Sequence, residues 1–101
     1  MNTSSVSQHS EGATLIQFYA TWCHPCKLLS PVVNTIEEKM SDTITVSRVD
    51  IDQEQEMTNR FHIMAVPTLV LLRGGREIWR HTGLLPEGNL RTAIAAAIAG
   101  R

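Results

Sequence analysis

Residues Ala13 to Ala20 read A-T-L-I-Q-F-Y-A, an almost unbroken apolar run with one strongly polar side chain, Gln17. β-Branched and aromatic residues at this density and length form a strand buried on both faces, as in a parallel sheet. Such a strand cannot stand alone. The rest of the chain has to provide neighbours for its edges and helices for its faces.

The sequence after this run alternates accordingly. From Pro25 the apolar spacing turns helical, with Leu28, Leu29, Val32, Val33, Ile36 and Met40 forming one stripe. Lys27, Asn34, Glu38 and Ser41 lie on the opposite side. Pro31 falls within the stripe and is expected to kink the helix, because it lacks an N–H and crowds the preceding turn. Thr43 to Ile51 reads as a second strand and Gln53 to His62 as a short helix. Pro67 precedes a third strand, Thr68 to Leu72, and Gly74-Gly75 makes a hairpin turn into a fourth, Arg76 to Thr82. The charges of that fourth strand suit an exposed edge. A last helix begins near Pro86, buries Leu90, Ala93, Ile94, Ala97 and Ile98, and ends at Gly100. The order βαβαββα predicts an α/β fold with one central mixed sheet and helices on both faces. Residues 1–12 form a short polar segment and 13–101 a single domain.

Composition removes several function classes. Of 101 residues, 43% are hydrophobic and 19% charged, a globular balance that excludes wholesale disorder. The formal charge of -1 offers no basic surface for nucleic acid or an anionic bilayer. No apolar run approaches the roughly 20 residues that span a bilayer. The stretch from Met1 to Gly12 lacks the cationic start, apolar core and cleavage site of a secretory signal, so a cytoplasmic location is expected.

The two cysteines, Cys23 and Cys26, flank His24 and Pro25. A pair this close cannot staple distant parts of a fold, and in a reducing compartment it is catalytic or metal-binding. The pair leaves a buried strand and enters a helix. There, free N–H groups and the positive end of the helix dipole favour a thiolate at Cys23. The thiolate is the nucleophile of disulfide exchange, and Cys26 lies one turn on, close enough to close a disulfide. In the resulting cycle Cys23 attacks a substrate disulfide, and Cys26 then attacks Cys23 to release the reduced substrate. The competing use is half of a zinc site, completed by histidines drawn from His9, His24, His62 and His81, none of which have zinc-finger spacing.

These motifs add up to a family resemblance. F-Y-A-T-W-C-H-P-C-K, the helix proline Pro31, V-D-I-D-Q from Val49, A-V-P-T-L from Ala65, the glycine turn and Thr82-Gly83 occur in the order and at the spacing of thioredoxins. The chain resembles the thioredoxin family from about Ala13 to Ala99. The resemblance implies a thioredoxin fold and a protein-disulfide reductase that needs no cofactor or metal of its own. Its partners are expected to be disulfide-containing proteins, and its electron donor an NADPH-dependent flavoprotein thioredoxin reductase. It further implies that Pro67 is a cis-proline facing the cysteines and that the backbone of Val66 pairs with the substrate chain. Trp22, Met64, Ala65, Val66, Gly83 and Leu84 are the implied docking surface, left open in a monomer.

Three departures from the family bear on function. Gln17 stands where thioredoxins carry a buried aspartate that receives the proton of the second cysteine, and an amide cannot act as that base. Arg48 stands in place of the matching lysine and cannot yield a proton near neutral pH. His24 replaces a glycine, and a protonated imidazole beside Cys23 favours its thiolate. Both His24 and the loss of the carboxylate favour the reduced pair, which makes the protein more oxidising. The short N-terminus has no room for the family's usual first strand and helix, so a truncated, four-stranded sheet is expected. Beside a general reductase stand two alternatives. One is a dedicated or more oxidising redox partner, an oxidase or isomerase; the other is a non-redox binding module on the same scaffold.

Overall fold

The computed structural model describes residues 12–100. The expected polar segment therefore lies outside the described residues, apart from Gly12. The elements are β1 (Ala13–Tyr19), α1 (His24–Lys39), β2 (Ile44–Asp50), α2 (Gln55–Arg60), β3 (Thr68–Arg73), β4 (Arg76–Thr82) and α3 (Glu87–Ile98). Among the described residues the sheet has four strands in the order β2-β1-β3-β4. β1 runs parallel to β2 and antiparallel to β3, and β4 completes an antiparallel hairpin with β3.

The apolar run takes the central place its composition demands. Leu15 of β1 faces one side with Leu69 and Leu71 of β3, where α1 contributes Leu29, Val33 and Ile36 and α3 contributes Leu90 and Ile94. Ile16 and Phe18 face the other side with Val49 and Val70, covered by Met57 of α2 and by Phe61 and Ile63 beyond it. The period-two alternation of side chains along a strand produces this division. Each fully buried Leu, Ile or Phe contributes about 1.5–3 kcal/mol, so the two clusters hold the sheet between its helices.

Two details differ from the sequence reading. Leu28 is 51% exposed and stays out of the core, because the buried stripe of α1 is narrower and runs through Cys26, Leu29, Val33 and Ile36. The second helix is shorter at both ends than Gln53–His62. The N–H groups of Gln53 and Glu54 turn back to the Asp50 carbonyl, and His62 leaves the helix with φ at +53°. The hairpin turn does use Gly74 and Gly75, with φ of +59° and +77°; this left-handed pair matches the twist of the flanking strands.

Candidate active site

β1 ends at Tyr19, and the chain turns through Ala20–Trp22 into α1, with the Cys23 N–H donating to the Ala20 carbonyl. Cys23 caps α1: its Sγ accepts the backbone N–H of Cys26 at 3.1 Å. Pro25 fits the first turn, where a missing N–H leaves no helical bond unmade. Cys23 and Cys26 are joined as a disulfide with their Cα atoms 5.3 Å apart. Both residues are buried, at 4% and 2% exposure, in a small cluster with Ala20 against which Tyr19, Ile51 and Val66 pack. His24 and Pro25, between the cysteines, are exposed.

A second segment is brought up to this helix start. The Val66–Pro67 bond is cis. Thr68 Oγ1 bonds the Ala65 carbonyl at 2.7 Å and Thr82 Oγ1 at 2.9 Å, while the Pro67 carbonyl accepts the Gly83 N–H at 2.9 Å. These bonds tie the Ala65–Pro67 segment to Gly83, and the Leu84 carbonyl is held in turn by His81 Nε2 at 3.3 Å. No backbone hydrogen bond to another described residue engages Val66. Trp22, next to Cys23 in the chain, is 67% exposed; Met64, two residues before Val66, is 93% exposed, and Leu84, which follows Gly83, is half-exposed. The Trp22 indole N–H donates to Asp52 Oδ2 at 2.9 Å, and the Asp52 N–H is itself bound by Asp50 Oδ1.

Behind the pair lies Gln17, 1% exposed. Its Nε2 donates to Ser30 Oγ at 3.2 Å, and the Ser30 hydroxyl donates to the Cys26 carbonyl at 3.2 Å. Gln17 Oε1 is buried and has no partner among the described residues. A pocket of about 280 Å³ opens beside these groups, lined by Tyr19, Ala20, Thr21, Cys26, Lys27 and Ser30. Arg48 is not part of this site. Although it pairs with Gln17 in the β1–β2 register, its guanidinium bonds Asn34 and Glu37 on the surface of α1. Two residues of the site escaped the sequence reading. Ser30 had one signal, its place one helical turn after Cys26 on the same face. Asp52 lay inside a recognised motif but carried no sign of its bond to Trp22.

A buried disulfide capping a helix beside an open apolar surface defines a thiol–disulfide oxidoreductase. The comparisons name the family. The family model "Thioredoxin" matches residues 2–96. A thioredoxin from Bacillus subtilis is 32% identical over 88 residues, 87% of this chain and 85% of that protein. One from Alicyclobacillus acidocaldarius is 37% identical over 81 residues, 80% of this chain and 77% of that protein. A mutant thioredoxin from Halobacterium salinarum superposes with a TM-score of 0.80 at 33% identity, covering 97% of this chain and 86% of the other. The chain belongs to the thioredoxin family, and it is a protein thiol–disulfide oxidoreductase acting on disulfide substrates.

Proposed function

We propose that the 13–101 unit works as a general protein-disulfide reductase, with Cys23 attacking and Cys26 resolving. The observation that carries the assignment is the bond from the Cys26 N–H to Cys23 Sγ at the start of α1. It puts the helix's free donors and positive end at Cys23, where they stabilise a thiolate, while Cys26 lies within the first turn of the helix. In this reading the substrate strand pairs with the backbone of Val66 beside the buried Pro67. Trp22, Met64, Ala65, Gly83 and Leu84 receive its side chains.

The donor in this proposal is an NADPH-dependent flavoprotein thioredoxin reductase. Support comes from a Mycobacterium leprae protein described as a bifunctional thioredoxin reductase/thioredoxin. It is 36% identical over 74 residues, 73% of this chain and 16% of that protein. A cytoplasmic monomer completes the reading: reductant is available there, and the docking face has to remain uncovered. Among the described residues no helix is long and apolar enough to cross a membrane.

His24 and Gln17 favour a second reading, a more oxidising partner. One unit of thiolate pKa corresponds to ~1.4 kcal/mol, or ~30 mV for two electrons. Equilibration in glutathione and dithiothreitol buffers, read by thiol trapping and Trp22 fluorescence, separates the two. A midpoint well below the glutathione poise, with insulin reduction driven by NADPH and thioredoxin reductase, supports the reductase. A midpoint near or above that poise with slow insulin reduction supports the oxidant.

A further inference from the structure

In the resolving step Cys26 must lose a proton, yet the side chain buried behind it is an amide. Gln17 offers no basic group. Apart from Cys26 itself, the neighbouring pocket is lined by Tyr19, Ala20, Thr21, Lys27 and Ser30, with no carboxylate and no imidazole among them. His24 is exposed and does not line this pocket.

Ser30 is placed differently. It lines the pocket together with Cys26. One lone pair of its Oγ takes the Gln17 amide N–H and its own proton goes to the Cys26 carbonyl, which leaves a second lone pair. Gln17, one bond further in, carries a buried carbonyl oxygen with no donor among the described residues. Buried acceptors of this kind are met by a protein donor or an ordered water. A polar pair with acceptor capacity to spare, next to a pocket that also reaches Cys26, has the makings of a water seat.

We infer that Ser30, held in place by Gln17, positions a water in this pocket that takes the Cys26 proton. The inference rests on the proposed roles of the two cysteines. The step starts from the mixed disulfide between Cys23 and the substrate. The Cys26 thiol passes its proton to the water and so to solvent. Its thiolate attacks Cys23 Sγ, the Cys23–Cys26 bond forms, and the bond from Cys23 to substrate breaks. The substrate sulfur leaves as a thiolate with the electron pair and is protonated. Over the full cycle the substrate disulfide gains two electrons, and the two cysteines lose them. Ser30 is thus a positioning residue that touches neither substrate nor the reacting sulfurs' bonds.

The test is single-turnover reduction of a peptide disulfide by the reduced protein, quenched in acid and resolved by non-reducing mass spectrometry across a range of pH. Formation of the mixed disulfide and its resolution are read separately. Ser30→Ala is expected to slow resolution roughly 10-fold or more and steepen its dependence on pH, with the formation step unchanged and Ser30→Thr recovering most of the rate. Resolution at the wild-type rate in Ser30→Ala overturns the inference. So does equal slowing of both steps without recovery by threonine, which marks a purely structural role. Should Ser30→Ala not fold, wild-type protein in heavy water decides: slower resolution with an unaffected first step supports the proposal, and unaffected resolution overturns it. Cys26→Ser separates the underlying reading, since failure to trap a mixed disulfide on Cys23 removes the cysteine assignments and this inference with them.

Discussion

The indole N–H of Trp22 and the carboxylate of Asp52 lie 2.9 Å apart, across the gap between the turn that precedes α1 and the turn that follows β2. Asp52 is itself anchored through its backbone to Asp50. A ring that is largely exposed is thereby held by its polar edge, with its apolar face available to a partner.

Asp52→Ala releases that edge. An exposed bond to a charged group contributes modestly, so the stability loss should stay near ~1 kcal/mol. The larger effect should be on docking, with KM for insulin rising a few-fold, kcat little changed, and the fluorescence anisotropy of Trp22 falling. Unchanged KM together with unchanged anisotropy contradicts the clamp.

Neighbouring leucines in α1 should differ sharply. Leu29 is fully buried in the main cluster, and Leu29→Ala should cost about 2–5 kcal/mol through lost burial and a residual cavity. Leu28 is half-exposed, and Leu28→Ala should cost well under ~1 kcal/mol. Urea unfolding of the two variants checks the contrast; similar midpoints would refute it.

The Glu77–Arg80 pair on β4 links stability to acid. The hydrogen bond from Arg80 holds the Glu77 carboxyl below its usual 4.5, with its charge adding to the effect and partial burial opposing it. A lowered folded value means the stabilisation is present above the unfolded value and is lost as pH falls through the folded one. Both side chains are about a third exposed, so Glu77→Gln should cost less than ~1 kcal/mol at neutral pH. The difference from wild type should begin to shrink as pH falls past 4.5 and vanish once it is below the lowered folded value. Arg80→Ala should cost more, because Arg80 also donates to the Phe61 carbonyl at 2.7 Å. Thermal melts across an acid series measure both.

Gln17→Met tests whether the buried amide serves stability or turnover. Methionine keeps the length of the side chain and removes an acceptor that has no protein partner among the described residues. The loss of the Gln17–Ser30 hydrogen bond, about 0.5–1.5 kcal/mol, is offset by no longer burying the polar amide, so the variant should stay within ~1 kcal/mol of wild type while resolving mixed disulfides more slowly. A clear loss of stability in chemical denaturation counts against this account.

The periodic parts of the chain were readable because burial dictates them. β1 through Gln17, the β3–β4 hairpin and the stripe of α3 follow from spacing and turn residues. The limit of that logic appears at Leu28, where apolar identity suggests burial but helix orientation sets the side chain outside. At the site, Cys23 and Cys26 announce themselves by spacing, and the Pro67 segment by resemblance. Ser30 does not, since a lone helical serine resembles any surface position until its oxygen is found between Gln17 and the Cys26 carbonyl. Arg48 shows the reverse: it is the register partner of Gln17, yet β2 sends its side chain to Asn34 and Glu37. Pairing between strands fixes backbone neighbours and leaves long side chains free to choose others.

Cys23 and Cys26 are only 4% and 2% exposed, although the neighbouring Trp22 is 67% exposed. A small solute that collides with this part of the molecule finds little of either cysteine to touch. Under the docking proposed above, a protein that lays an extended strand along Val66 would bring its own disulfide to Cys23. On that proposal reactivity is gated by fit, and the pair exchanges with molecules that can first cover it.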